Sequence, residues 1–220
     1  MKFAMVTLHT PNYIPLAEIT WDQNKKLYCE QHGYDAIAKT DGFKYDYLFL
    51  STERTELIVE LLESGKYDWI HACGTDTMIT NFTVKLEDLV DDDYDFIIGV
   101  DCHGINNDSF LARATPRTIA YLKKVIEVRE EYATAKWLDQ QAMTDNIDMM
   151  GDRIKIVPQR FFNSFDYWQY PQDYMPHIEK KDILGNDGQW QPGDFLIHWP
   201  GISMEKRIPL AKEKLTQVIK

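Results

Sequence analysis

Four side chains in this sequence stand out for what their types and settings could do. Asp76 lies in the polar turn Gly74-Thr75-Asp76-Thr77, directly after an apolar run. There it reads either as a turn or helix N-cap aspartate, or as a carboxylate ligand for a hard divalent cation bridging a diphosphate. His198 follows Phe195-Leu196-Ile197 and precedes Trp199-Pro200-Gly201. An imidazole at a strand end is either structural or a partner to a carboxylate around manganese. Asp139-Gln140 opens a helical pattern. Asp139 then either caps that helix against its macrodipole or joins Gln140 in facing a reacting group with a carboxylate and an amide.

Such groups need elements to carry them, and short apolar runs alternating with amphipathic stretches predict an α/β sheet protein. Phe3 to Leu8, Tyr34 to Ala38, Tyr47 to Leu50, Tyr67 to Cys73, Phe96 to Val100, Ser109 to Ala114, Ile154 to Val157 and Phe195 to His198 read as strands. Helices are expected over Ala17 to His32 with Gly33 as C-cap, from a Ser51 or Thr52 cap to Ser64, from Thr115-Pro116 to Glu131, over Leu138 to Asp148, and over Glu205 to Ile219. In such sheets ligands bind beyond the carboxyl ends of the strands. That placement gathers Thr7 to His9, Gly74 to Thr77, Asp101 to Asn107 and His198 to Gly201. Arg54, early in its helix, reads as a holder of phosphate or ribose, or as a solvent-facing residue.

The aromatic, aperiodic stretch Gln159 to Pro192 is long enough to need a reason, and an ordered functional loop or small flap is expected. Its Phe161, Phe162, Phe165, Tyr167, Trp168, Tyr170 and Tyr174 suit either a core or the stacking of sugar faces. Asp91-Asp92-Asp93 reads as a solvated acidic turn.

Composition narrows the function. The 220 residues carry a net charge of −11, which argues against a nucleic-acid partner, since a phosphate backbone needs a basic surface. Charge is segregated: residues 87–108 hold eight acidic and no Lys or Arg side chains, while residues 205–220 hold five basic against two acidic. The three cysteines, Cys29, Cys73 and Cys102, are widely spaced and read as reduced thiols of a cytoplasmic protein. No apolar run approaches the length of a membrane span. One domain over residues 1–220 is expected, with a nucleotide-binding half of about residues 1–100 and a transfer half of about 101–220.

The chain resembles the α-galactosyl-, mannosyl- and xylosyltransferase family of GT-A glycosyltransferases. The resemblance rests on Gly104-Ile105-Asn106 with Ser109 to Arg113; Asp139-Gln140-Gln141-Ala142; Ile156 to Ser164; and Gly193-Asp194-Phe195-Leu196-Ile197-His198-Trp199-Pro200-Gly201. In the first half, Asn24-Lys25-Lys26 with Tyr28, His32-Gly33-Tyr34-Asp35, and Tyr67 to Ile70 leading to Asp76-Thr77 and Asn81 also fit. It implies a GT-A α/β fold with a mostly parallel sheet, and transfer of a sugar from a nucleoside-diphosphate sugar to an acceptor hydroxyl of a glycan or polysaccharide, with retention at the anomeric carbon.

The site it implies has Mn2+ (or Mg2+) on Asp76 and His198. Asp139 and Gln140 line the transfer site and Asn106 contacts the donor sugar. Gly201 and Lys206 (or Arg207) lie along the diphosphate; Thr7, His9 and Thr75, from the strand ends, and Arg54, from its helix, are expected beside them as donor-binding residues. Two positions depart from the pattern. Gly74 stands where the first Asp of an Asp-x-Asp motif is expected, which would weaken the metal. Asp108 stands where glycine is expected before Ser109, a negative side chain near the presumed donor sugar. The missing aspartate keeps open an alternative, a catalytically degenerate protein of the same fold that binds carbohydrate or nucleotide sugar. A nucleotidyltransferase would use the same strand ends but leaves the Gly-Asp-Phe-Leu-Ile-His-Trp-Pro-Gly run unexplained.

Overall fold

Alternate residues of the strands feed two apolar clusters, which is how a sheet buried on both faces is built. Ala4 and Val6 of β1 (Phe3–Leu8) join Phe96 and Ile98 of β5 (Phe96–Asp101) and Phe110 of β6 (Gly104–Arg113) in one cluster. Phe3, Met5, Ile97 and Leu111 enter the other. In this computed structural model, which describes residues 1–169 and 179–220, the remaining main-sheet strands are β2 (Asp35–Lys39), β3 (Trp69–Cys73) and β7 (Ile154–Val157). The order is β2-β1-β3-β6-β5-β7. The β1–β2, β1–β3 and β5–β7 pairings are parallel, and β6 runs antiparallel to both of its neighbours. The sheet is the expected mostly parallel one. A separate antiparallel pair, β4 (Thr77–Ile79) with β8 (Leu196–His198), sets Thr77 opposite His198.

Residues 14–32 form one helical run in three parts: α1 (Ile14–Ala17), a π-helical segment (Glu18–Lys25) and α2 (Lys26–His32). Gly33 closes it in the left-handed region at φ 73°, where a side chain would be strained. Further helices are α3 (Leu50–Glu63), α4 (Leu86–Leu89), α5 (Pro116–Glu127), α6 (Leu138–Asp145), α7 (Gln159–Phe162) and α8 (Met204–Leu215). Thr115 caps α5 as its sequence predicts, its hydroxyl accepting from the Thr118 N–H at 3.3 Å.

The expected strand Tyr47 to Leu50 is instead a 3-10 turn, Tyr47–Phe49, running straight into α3. The Asp46 carboxylate accepts from the Leu48 N–H at 3.2 Å, so that aspartate starts the helical turn and neither Ser51 nor Thr52 is a cap. β6 begins five residues ahead of the expected Ser109, and the α6 pattern ends at Asp145 before a 3-10 segment, Ile147–Arg153. In the aromatic stretch, Phe162 and Phe165 are buried while Trp168 is 77% exposed. Tyr170 and Tyr174 lie outside the described residues. Asp91 and Asp92 sit in a surface turn facing Lys155 and Arg113. Among the described residues, no helix is long and apolar enough to cross a membrane.

Candidate active site

A π-helical segment winds wider than an α-helix and is frequent at functional sites. Here it turns three buried polar side chains toward the 74–79 segment. Lys25 Nζ donates to the Gly74 carbonyl at 2.5 Å, Thr20 Oγ1 donates to the Thr75 carbonyl at 2.6 Å, and Asn24 pairs with both backbone groups of Ile79 at 2.9 Å. Thr75 Oγ1 donates to the Leu8 carbonyl at 3.0 Å, and the Gly74 N–H to the Asp108 carbonyl at 2.9 Å. The Trp199 N–H donates to the Asp76 carbonyl at 3.0 Å, extending the β4–β8 ladder. The turn holding Asp76 is thereby tied to the helical run, to β1, to β6 and to the strand that ends at His198.

Asp76, Asp108 and His198 converge at this point, each offering one ligand atom within 4.8 Å of the others. His198 Nε2 lies 3.3 Å from Asp108 Oδ2 and 3.7 Å from Asp76 Oδ2, and its Nδ1 meets the Asn163 amide oxygen. That contact orients the ring so that Nε2 faces the carboxylates, a second-sphere arrangement of the kind that positions a histidine for a metal. Two oxygens and one imidazole nitrogen suit Mn2+, so the residues present fit the expected cation.

Arg207 Nη2 lies 3.0 Å from Asp76 Oδ2, and its Nε donates to the Trp199 carbonyl at 3.0 Å. Burial alone would raise the Asp76 pKa, but the Arg207 guanidinium and His198 outweigh it and hold the carboxyl well below its usual range. Burial disfavours the charged His198, yet the facing Asp108 and Asp76 carboxylates prevail and raise its pKa.

Two clefts meet at Asn107 and Asp108. One, of about 360 Å³, lies among His9, Arg54, Thr75, Asp76 and Asp139, within the size range of small-ligand sites. The other, of about 240 Å³, lies among Asn106, Trp137, Gln140, His198 and Gly201. Arg54 is buried, donating to the Asn107 carbonyl at 2.8 Å and the Asp108 carbonyl at 3.3 Å, with Nη1 3.5 Å from Asp108 Oδ1. It is therefore no solvent-facing helix residue.

Asp139 accepts from Asn107 Nδ2 at 2.6 Å, and burial raises its pKa against the pull of Arg54 and of that hydrogen bond. It follows Leu138, which among the described residues is the one non-glycine at positive φ, 41°. Such strain costs of order 1–3 kcal/mol and tends to sit at functional sites.

The sequence-based site is thus brought together with three adjustments. Thr7 is fully buried within β1 and borders neither cleft. Lys206 is exposed on α8, while its neighbour Arg207 turns inward to Asp76. Asn106 lines the second cleft as a brace, donating to Asp101 Oδ2 at 2.9 Å and accepting from the Asp108 N–H at 3.0 Å. Asp108, the third member of this group, was not among the ligands expected from the sequence. The only trace of it in the sequence is that one aspartate is absent at 74 and one is extra at 108.

The nucleotide-diphospho-sugar transferase family matches residues 19–187 of this chain. The chain belongs to that family and has the GT-A glycosyltransferase fold. An uncharacterized alpha-1,2-galactosyltransferase of Schizosaccharomyces pombe, C637.06, is 24% identical, the alignment taking in 81% of this chain and 61% of that protein. The chain therefore spans less than two thirds of that relative's length. Among solved structures, a glycosyltransferase involved in glycosylation of the major capsid of PBCV-1 superposes with a TM-score of 0.74 at 13% identity, covering 97% of this chain and all (100%) of that one. GlyE of Streptococcus pneumoniae TIGR4 gives 0.61 at 15% identity over 97% of this chain and 61% of its own. The galactosyltransferase LgtC, solved with donor and acceptor sugar analogues, gives 0.55 at 11% identity over 99% and 96%.

Proposed function

We propose that this protein is a metal-assisted glycosyltransferase that moves a sugar from a nucleoside-diphosphate sugar to a hydroxyl of a glycan acceptor. The observation that carries the reading is the junction of the two clefts at Asp108, beside Asp76 and His198. Donor and acceptor could meet there, with the cation-binding groups beside the bond that breaks. Asp76, Asp108 and His198 would hold the divalent cation. Bound there, it would neutralise the charge that develops on the leaving diphosphate.

The chain's own groups supply the rest. The buried Arg54 fixes the floor shared by both clefts, and His9 and Thr75 border the space for the nucleotide. Asp139 and Gln140 straddle the junction, one lining each cleft, where a carboxylate and an amide can face the sugar in transit. In this reading residues 1–100 provide most of the nucleotide wall and residues 101–220 the transfer side. Retention at the anomeric carbon is the stereochemistry the resemblance implies. The coupling constant of the anomeric proton in the first product reads it directly. Galactosyl nucleotides are the donors to try first, following the names of two of the relatives.

The discriminating experiment is a thermal-shift panel of nucleoside diphosphates and their sugars, each with and without Mn2+. A ligand at about 100 times its Kd stabilises by about 2.7 kcal/mol, which for a chain of this size is a rise of about 5–11 °C in Tm. We expect such a rise for one base, larger with Mn2+ present. No shift with any nucleotide would favour the degenerate carbohydrate-binding alternative.

A further inference from the structure

We propose that the carboxylate absent at residue 74 is supplied across the sheet by residue 108, so that Asp108 is the third ligand of the cation site and Gly74 is the space that admits it. The proposal rests on the metal-assisted reading above and names a ligand at a position where the resemblance expects none.

The exchange follows from strand register. β3 and β6 are antiparallel with Cys73 opposite Ser109, and the Gly74 N–H donates to the Asp108 carbonyl. Residues 74 and 108 are therefore the next facing pair, and facing residues hold their Cβ atoms about 4.5–5.5 Å apart. Side chains from either position reach the same volume.

That volume holds one carboxylate. A Cβ placed on Gly74 would fall on Cγ and both oxygens of Asp108, far inside van der Waals contact. This glycine is not at a positive φ, so what excludes a side chain there is the Asp108 carboxylate and not the backbone. The carboxylate is also aimed: Arg54 faces Oδ1 at 3.5 Å, while Oδ2 is buried, receives no hydrogen bond and points at His198 Nε2, 3.3 Å away. A buried oxygen left without a donor beside a second carboxylate and an imidazole nitrogen is an arrangement that a cation would complete.

The geometry requires a specific coupling between the two positions. Asp at both overlaps; Gly at both leaves only Asp76 and His198; either single aspartate completes the set. Mn2+ binding, measured without nucleotide by electron paramagnetic resonance, and melting temperature together test this on five proteins.

Asp108→Gly and the near-isosteric Asp108→Asn are each expected to bind Mn2+ about tenfold or more weakly than wild type. Gly74→Asp alone is expected to melt several degrees lower. The double variant Gly74→Asp/Asp108→Gly is expected to recover both the melting temperature and Mn2+ affinity to within a few-fold of wild type. Wild-type affinity in Asp108→Asn, or a folded double variant that binds no better than Asp108→Gly, would overturn the exchange. A wild-type protein that binds no Mn2+ overturns it as well. The nucleotide shifts of the preceding section stand or fall separately, because they are read without metal too.

Discussion

Asp76→Asn is expected to abolish Mn2+ binding, to cut sugar transfer by about 10²-fold or more, and also to lower stability without any ligand present. The two losses have different origins. On the metal-assisted reading, transfer falls because one of the three groups that would hold the cation is gone. Stability falls because Asp76 pairs with Arg207, whose side chain is 5% exposed and which lies 3.0 Å away. Removing one partner of a buried ion pair costs about 3–5 kcal/mol. Arg207 keeps its bond to the Trp199 carbonyl and its place over the Tyr13 ring, so the lower end, about 3 kcal/mol, is expected. At about 2–4 °C per kcal/mol for a chain of this size, that is a fall of about 6–12 °C in Tm. Adding Arg207→Met to Asp76→Asn should restore most of the melting temperature and none of the transfer, since an apolar side chain needs no counter-charge. Undiminished transfer by Asp76→Asn would remove Asp76 from the metal site, and an unchanged Tm would show that the ion pair adds nothing to the fold.

That double role was not legible in the sequence, where Asp76 reads as a turn residue or a ligand and the inward basic group as Lys206 or Arg207. One step along a helix rotates a side chain by about 100°, and which of two adjacent cations faces the site is settled only by how α8 packs. The strands were plainer. Phe3–Leu8 and Ile154–Val157 match the expected strands residue for residue, because a short, mostly apolar run between polar or proline residues leaves little choice.

Tyr47 to Leu50 is just as apolar and became a helical turn. Four residues carry too little periodicity to separate strand from helix, and Asp46 tipped the balance by capping Leu48. β6 starts ahead of Ser109 although Asn106, Asn107 and Asp108 are poor strand formers; its polar end forms the wall between the clefts. Asp108 itself reads in the sequence only as a charge where glycine is expected. Its meaning depends on the antiparallel register that sets it beside Gly74, and no local pattern contains a register between segments more than thirty residues apart.

Asp139→Asn is expected to separate function from folding in the opposite sense to Asp76→Asn. Turnover should fall by about 10²-fold, while the dissociation constant for the donor nucleotide changes little. Burial raises the pKa of Asp139 in the folded protein, so at neutral pH folding works against its charged form. By linkage, a carboxyl whose folded pKa lies above its unfolded value subtracts from stability once the pH exceeds both values, and the folded state regains that stability as it takes up the proton. An asparagine carries no such charge and can still accept from Asn107 Nδ2. The variant should therefore melt at the same temperature as wild type or above it at pH 7, and the difference should shrink on acidification. The same raised pKa puts the acid limb of the wild-type turnover profile above the ordinary carboxylate range, and that limb should vanish from the residual activity of the variant. A helix cap would give the reverse result: Tm would drop, turnover of the folded fraction would hold, and the acid limb would stay. Strain at Leu138, one residue earlier, favours the first outcome, because a cap is satisfied by common backbone geometry, whereas this carboxylate is held in place by a conformation that costs free energy to keep.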